Sequence, residues 1–176
     1  EVDSVLFPDN GMASVLAVMR DGRAIETATV GREGALGMMA GLGLHITLTR
    51  AVAQTAVTGS RIAAPQFRRL VAGSDELRNL VVRYSEVLLA QVQMTAACNA
   101  VHQVPHRTAN WIRRLYETSG PELRTTQSIL AQAMGVQRTS VNAAVKALER
   151  DGALKLSRGR MIVTDPARLH RFACGC

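Results

Sequence analysis

Two groups of side chains have the types and spacing to do chemistry. Arg138, Thr139, Asn142 and Lys146 lie on one side of a stretch whose other side carries Val141, Ala144, Val145 and Leu148 at i, i+3, i+4, i+7. A short polar, basic helix face held by a packed partner helix is what a reader of the DNA major groove needs. The second group is thiol and imidazole. Cys98 and His102 stand i, i+4, a spacing that can present two metal ligands from one helix face. Cys174 and Cys176 form another small cluster, far off in sequence. A metal- or redox-responsive site would draw on Cys98 and His102 or on the terminal pair. Two ligands do not make a site, however, and a small buried Cys on a helix seam is ordinary. The spacing therefore favours a structural role for Cys98, with no metal expected.

Enzyme chemistry has little to stand on. The four histidines (His45, His102, His106, His170) include no His-Glu-x-x-His pair, no Gly-x-Ser-x-Gly occurs, and no pair of carboxylates stands out. A non-enzyme is expected. Gly31–Leu44 carries five glycines but is neither a P-loop nor a dinucleotide fingerprint. It fits a ligand-cradling loop and a loop with a short helix equally well.

The elements that must position the basic face follow from the pattern around it. Thr126–Gly152 reads as two helices joined by the turn Gly135-Val136-Gln137, with Thr126 as N-cap and Ile129, Leu130, Ala133 and Met134 apolar in the first. Before it, Pro105 opens a helix over His106–Thr118 with Trp111, Ile112, Leu115 and Tyr116 inward, ended by Gly120-Pro121. After it, Ala153–Leu156 and Met161–Thr164 flank Ser157-Arg158-Gly159-Arg160, a basic hairpin suited to touching phosphates. Asp165-Pro166 caps a last short helix, Ala167–Phe172.

The longest helical pattern is Asp75–Val104. A heptad-like stripe runs along it through Leu77, Val81, Tyr84, Leu88, Gln91, Thr95, Cys98 and His102. Leu80, Val87, Leu89 and Val92 lie outside the stripe, so more than one side of the helix is apolar. One side can pack on its own chain, and the stripe is expected to be the seam of a homodimer; a central helix buried in a monomer is the alternative. Upstream, Ser14–Arg20 and Arg23–Val30 flank Asp21-Gly22, the signal of a type I′ hairpin with Val15, Ala17 and Met19 on one face. Residues 1–13 resemble the end of an incomplete β unit. Arg50–Val57 and Arg61–Ala64 are expected as strands around a turn at Thr58-Gly59-Ser60, followed by a short helix from Pro65 to Leu70 with Phe67 and Leu70 apolar, and Ser74 as the next N-cap.

Charge separates the two halves. Residues 1–104 hold nine Arg against nine Asp+Glu, whereas residues 105–176 hold twelve Lys+Arg against five Asp+Glu and carry the whole net +7. A basic unit after a neutral one points to a polyanion partner for the former only. The longest apolar run, Gly34–Leu44, falls far short of the ~20 residues that span a bilayer, no signal peptide is visible, and three cysteines argue against a disulfide framework. A cytoplasmic protein with no membrane partner is expected. The chain does not begin with Met, and a fragment or trimmed product is expected.

Taken together, these residues resemble the Crp/Fnr family of bacterial transcription regulators over essentially the whole chain. The likeness is strongest in Leu130-Ala131-Gln132-Ala133-Met134-Gly135-Val136-Gln137-Arg138-Thr139-Ser140-Val141, in Gly152 with Arg158-Gly159-Arg160, and in Val30-Gly31-Arg32-Glu33-Gly34. Ala97-Cys98-Asn99-Ala100-Val101-His102 and Cys174-Gly175-Cys176 look like a particular subgroup of that family. The resemblance implies an α+β chain. A cyclic-nucleotide-binding-like β-roll would fill 1–73, incomplete at its N-terminus, a dimerisation helix 74–104, and a winged helix-turn-helix 105–176. It further implies a homodimer on a palindromic duplex DNA site, an effector pocket in each β-roll, and RNA polymerase as a further partner. Carried over by position, Arg138 reads guanine, Thr139 and Asn142 share the base edges, and Thr126, Gln127, Ser128, Ser140, Lys146, Arg158 and Arg160 face phosphates. Thr139 stands where many members have a base-reading Glu, and Ala143 where cyclic-AMP-responsive members have a second Arg, so the half-site should differ from theirs.

The implied effector pocket is Gly34, Ala35, Leu36 and Gly37 with Thr49 and Arg50. Ala35 replaces the Glu that would hold the ribose, and Thr49-Arg50 is only a near match to the phosphate-gripping Arg-Ser/Thr pair. Each missing charge-assisted hydrogen bond costs ~1.5–3 kcal/mol, so the effector is expected not to be cyclic AMP, and its identity stays open. Calorimetry should detect no cyclic AMP binding at physiological concentration; micromolar affinity would overturn this.

Overall fold

The computed structural model describes residues 1–43 and 46–176. Leu44, the end of the glycine-punctuated run, and His45 lie outside the described residues. The elements in chain order are strands β1 (Ser4–Asn10), β2 (Ala13–Val18) and β3 (Ala24–Val30), a 3-10 turn at Met38–Leu42, strands β4 (Thr49–Ala53) and β5 (Thr58–Ala63), and helices α1 (Ala64–Ala72), α2 (Asp75–Val101) and α3 (Val104–Ser119). The short strand β6 (Glu122–Leu123), helices α4 (Gln127–Met134) and α5 (Arg138–Arg150), strands β7 (Leu154–Ser157) and β8 (Arg160–Val163), and helix α6 (Pro166–Phe172) complete the chain. No described helix is long and apolar enough to cross a membrane. The chain divides into two compact units, Glu1–Ala17 with Thr27–Gln93, and Val18–Glu26 with Met94–Cys176.

In the first unit β1 pairs antiparallel with β5, Leu6 opposite Arg61, and β2 lies between β3 and β4, with Ala17 opposite Thr49. Thr58-Gly59-Ser60 is therefore strand rather than the expected turn, and the break falls at 54–57. A Cβ on Gly59 would sit 2.1 Å from the Phe7 carbonyl oxygen. Close approach of two backbones, not a turn, requires the glycine. The Asp21-Gly22 hairpin is also not type I′, which needs positive φ at both central residues. Only Gly22 has it, φ 85. Gly22 N–H donates to Met19 O (3.0 Å) and Met19 N–H to Arg23 O (2.8 Å), closing a three-residue loop with the glycine in the left-handed position. On β2 the buried side chains are Ala13, Ser14 and Leu16, while Val15 and Ala17 are half-buried and Met19 is exposed.

The core of this unit gathers Val5, Ala35, Met38, Phe67, Val71 and Val81. Phe7 and Phe67 meet edge to face at 6.0 Å. Leu70, expected inward on α1, is 50% exposed. Ser74 caps α2, its Oγ accepting from Leu77 N–H at 3.2 Å. Along α2 the expected dimer seam proves to be the side turned to the chain itself. Val81 is fully buried, and Leu77 and Tyr84 pack on the core. Tyr84 Oη donates to Ala35 O (2.9 Å) and accepts from Ala35 N–H (3.0 Å), and Gln91 donates to Thr29 Oγ1 (3.3 Å). Leu88 and Thr95 are half-buried, while Cys98 and His102 turn to the C-terminal tail. The heptad was real, but a period of seven cannot say which partner faces it. The helix ends at Val101, three residues before the expected Val104, because the chain straightens at Gln103 (φ −69, ψ 153) to set Pro105 in the first turn of α3.

In the second unit α3, α4 and α5 pack through Ile112, Leu115, Leu130, Val141, Val145 and Leu148, all at most 2% exposed. The sheet order is β6-β8-β7. Strand β6 has two residues and no periodicity to betray it in sequence. The tip Val18–Glu26 belongs to this unit and brings a carboxylate into it. Glu26, 5% exposed, accepts from Trp111 Nε1–H at 3.1 Å and from Arg114 Nη2–H at 2.9 Å. A buried carboxylate persists only when paired and hydrogen-bonded. Replacing Glu26 by Ala strips the indole and the guanidinium of that acceptor and should cost about 3 kcal/mol. Urea unfolding followed by Trp111 fluorescence measures it; a loss below about 0.5 kcal/mol, the range of surface substitutions, would contradict the pairing.

Candidate nucleic-acid interface

The two-helix stretch is assembled by its caps. Thr126 is extended (φ −119, ψ 157), and its Oγ1 accepts from Ile129 N–H at 3.3 Å. Gly135 ends α4 in the left-handed region at φ 64, and Val136 N–H reaches back to Ala131 O at 3.0 Å. Arg107 Nη2–H donates to Met134 O at 2.8 Å, placing a cation on the negative end of α4. Gln137 is extended, and α5 starts at Arg138 with no acid in its first turn. That leaves the positive end of its dipole free for an anion.

Helix α5 buries Val141, Ala144, Val145 and Leu148. Arg138, Thr139, Ala143 and Lys146 are exposed, with Ser140 and Asn142 half-buried beside them. Thr139 Oγ1–H points to Gln137 Oε1 at 3.5 Å. On α4 only Ile129 of the four apolar positions is exposed, at 41%. Ser128 is exposed and Gln127 half-buried at its start. The Thr126 hydroxyl oxygen serves as a cap, which leaves its proton to donate outward.

The basic hairpin is β7–β8, Ser157 opposite Arg160, with Arg158 exposed at the turn. Arg160 differs from a free wing cation. Its Nη1–H donates to Glu122 Oε1 at 2.7 Å, and that hydrogen bond and charge hold the Glu122 carboxyl below its usual range. The pairing of β6 with β8 brings Glu122 within reach of Arg160, which no local sequence signal marks.

In the first unit a cavity of about 420 Å³ is lined by Ala35, Leu36, Gly37 and Thr49 of the expected effector pocket, together with mostly apolar side chains such as Val2, Leu6, Val30 and Leu88. Gly34 and Arg50 do not line it, and the lining contains no Arg or Lys among the described residues. Arg50 is exposed on β4. Both backbone polar groups of Ala35 are taken by Tyr84, so the loop that would meet a ribose is already satisfied from inside.

The thiols and imidazole, far apart in sequence, come together in the second unit: the ligand atoms of Cys98, His102, Cys174 and Cys176 lie within 4.8 Å of one another. In sequence the two pairs stand more than seventy residues apart, and only the return of the tail past α6 joins them. Burial pushes the Cys98 thiol up to about 12, and its hydrogen-bonding and charged neighbours Cys174 and Cys176 push the same way.

Residues 106–172 match the Crp-like helix-turn-helix domain. No match was found among curated proteins. Among solved structures, a CRP-family transcriptional regulator from Thermus thermophilus is 22% identical with a TM-score of 0.77, over 98% of this chain and 89% of that one. A CRP/FNR-family transcriptional regulator from the same organism is 23% identical with a TM-score of 0.77, over 97% and 88%. A crystal structure assigned to the crp/fnr family from Eubacterium rectale is 17% identical with a TM-score of 0.80, over 98% and 81%. The C-terminal unit therefore contains a Crp-like helix-turn-helix domain, and the chain has the fold of the Crp/Fnr regulators.

Proposed function

We propose that the chain is a sequence-specific DNA-binding transcriptional regulator of the Crp/Fnr type that reads a palindromic operator as a homodimer. The observation that carries this is α5: a buried apolar stripe fixes the helix in the domain, and Arg138, Thr139, Asn142 and Lys146 stand on its outward side. Arg138, Thr139 and Asn142 at its start reach base edges, where bidentate arginine to guanine is the commonest specific contact. Thr126, Gln127, Ser128, Ser140, Lys146 and Arg158 engage phosphates, and Arg160 joins them by exchanging Glu122 for a phosphate oxygen. The net +7 of residues 105–176 supplies the salt-dependent part of the affinity. In this reading 1–73 senses, 74–104 dimerises and 105–176 reads DNA.

Dimerisation uses the side of α2 that its own chain leaves bare. Leu80, Val87, Met94 and Val101 recur every seven residues and are 57%, 68%, 54% and 75% exposed. An apolar heptad face on a long helix suits the same face of a second copy across a two-fold axis. The cavity of the first unit is the effector pocket, and its mostly apolar lining, which includes Glu1 and Asp3 and has no Arg or Lys among the described residues, suits a ligand other than a cyclic nucleotide.

With an operator selected from random duplexes, Arg138→Ala should lose ~1–3 kcal/mol and relax preference at one base pair, whereas Arg158→Ala should weaken all sequences alike and flatten the salt slope by about one. Unchanged operator preference in Arg138→Ala would remove α5 as the reader. Absence of salt-dependent retention on duplex DNA would favour a protein-binding module instead. Val87→Glu with Met94→Glu should convert a sedimenting dimer to a monomer; a wild-type chain that sediments as a monomer would sink the dimer.

A further inference from the structure

We propose that Cys98, His102, Cys174 and Cys176 form a closed four-coordinate site for one Zn²⁺ ion, tying the last turn of α2 to the chain beyond α6. The site stands apart from the DNA-reading proposal, and either can fail without the other.

Two separate backbone features aim the ligands inward. His102 N–H donates to Cys98 O at 3.0 Å, which continues the helical turn and keeps both side chains on one face. In an extended Cys-Gly-Cys the two thiols, at i and i+2, would share one side but stand about 7 Å apart along the strand, too far to converge on one ion. Gly175 takes φ 70, a conformation other residues rarely adopt, and this turns both Cys174 and Cys176 toward α2. Cys98 Sγ then lies 3.5 Å from Cys174 Sγ, and Cys176 Sγ 3.3 Å from His102 Nδ1.

Those separations are the edges of a coordination tetrahedron. With Zn–S of about 2.3 Å and Zn–N of about 2.0–2.1 Å, the edges are about 3.8 Å for S···S and about 3.6 Å for S···N. All four donor atoms already lie within 4.8 Å of one another, so an ion needs only a small adjustment. Three thiolates and one imidazole form a soft, closed Cys₃His set that suits Zn²⁺ and leaves no position for substrate. An iron–sulfur cluster spreads its terminal ligands farther apart than one ion does, and this cluster is too tight for it. The three cysteines are free thiols.

An outer shell holds the tail in place. Asn110, 6% exposed, donates from Nδ2 to Cys176 O at 3.1 Å. Arg113 Nε–H and Nη2–H donate to Asn110 Oδ1 at 3.2 and 3.0 Å, fixing which way that amide faces. His106 Nδ1 bonds Phe172 O at 2.9 Å. Asn110 is thus a positioning residue for the ligand loop. The two ligand pairs bracket 104–172, the whole helix-turn-helix domain, so the ion would close that domain on the end of α2.

The test uses the full chain purified anaerobically under reducing conditions. Elemental analysis should give one Zn²⁺ per chain. The metal-stripped protein titrated with Co²⁺ should show thiolate-to-cobalt charge transfer and tetrahedral d–d absorption that saturate at one equivalent and vanish on adding Zn²⁺. Cys174→Ser and Cys176→Ser should lose the charge-transfer intensity of one thiolate each, His102→Gln should weaken Zn²⁺ binding while retaining thiolate charge transfer, and Asn110→Ala should weaken Zn²⁺ binding by about tenfold. The wild-type cobalt spectrum decides the question even where a variant fails to fold. Absence of thiolate charge transfer, iron with inorganic sulfide in the purified protein, or a Cys98–Cys174 disulfide in place of bound metal would each overturn the proposal.

Discussion

A 27-residue helix with apolar residues on two sides has more surface to bury than one face can hide. One side of α2 is used within the chain: Val81 in the core, Tyr84 on the Ala35 backbone, Gln91 on Thr29. The same stripe ends in Cys98 and His102, which meet the returning tail. The other side keeps Leu80, Val87, Met94 and Val101 largely in water, where each forgoes more than half of the ~1.5–3 kcal/mol that full burial would supply. A second copy of the helix is the cover we propose, and its two-fold symmetry would match that of a palindromic operator.

The proposed DNA-facing side depends on rigidity rather than on strength of any one contact. Base readout tolerates little slack, and α5 obtains its fixed position from burial along one whole stripe and from the capped turn before it. The helix start is free of acids, so both its dipole and Arg138 favour an anionic partner. Near the wing the balance is finer. Arg160 is held on Glu122 in an exposed pair, an interaction of small net value that a phosphate can replace.

The second unit is closed from two directions by polar groups of low exposure. Glu26 fastens the tip Val18–Glu26 to Trp111 and Arg114 on α3. Asn110, one residue before Trp111, holds the tail through the Cys176 carbonyl. Helix α3 thereby carries the groups that position both segments, Asn110, Trp111 and Arg114, within little more than one turn.

Much of the helix-turn-helix was legible in the sequence because its signals are local. Thr126 as a cap, Gly135 at the turn, and the stripe Val141–Ala144–Val145–Leu148 involve neighbours within one or two turns, where spacing alone dictates geometry. The basic excess after residue 104 is likewise a property of composition. Pairing and partner choice were not legible. Gly59 looked like a turn because its reason is the Phe7 backbone more than fifty residues away, β6 is too short to have a period, and a heptad on α2 could not say which copy of which chain faced it. The four-ligand cluster was divided in sequence into two pairs, each too small to be a site. Only the tertiary fold joined them, since a ligand set is defined by distances between donor atoms, and those arise when the tail past α6 returns to the end of α2.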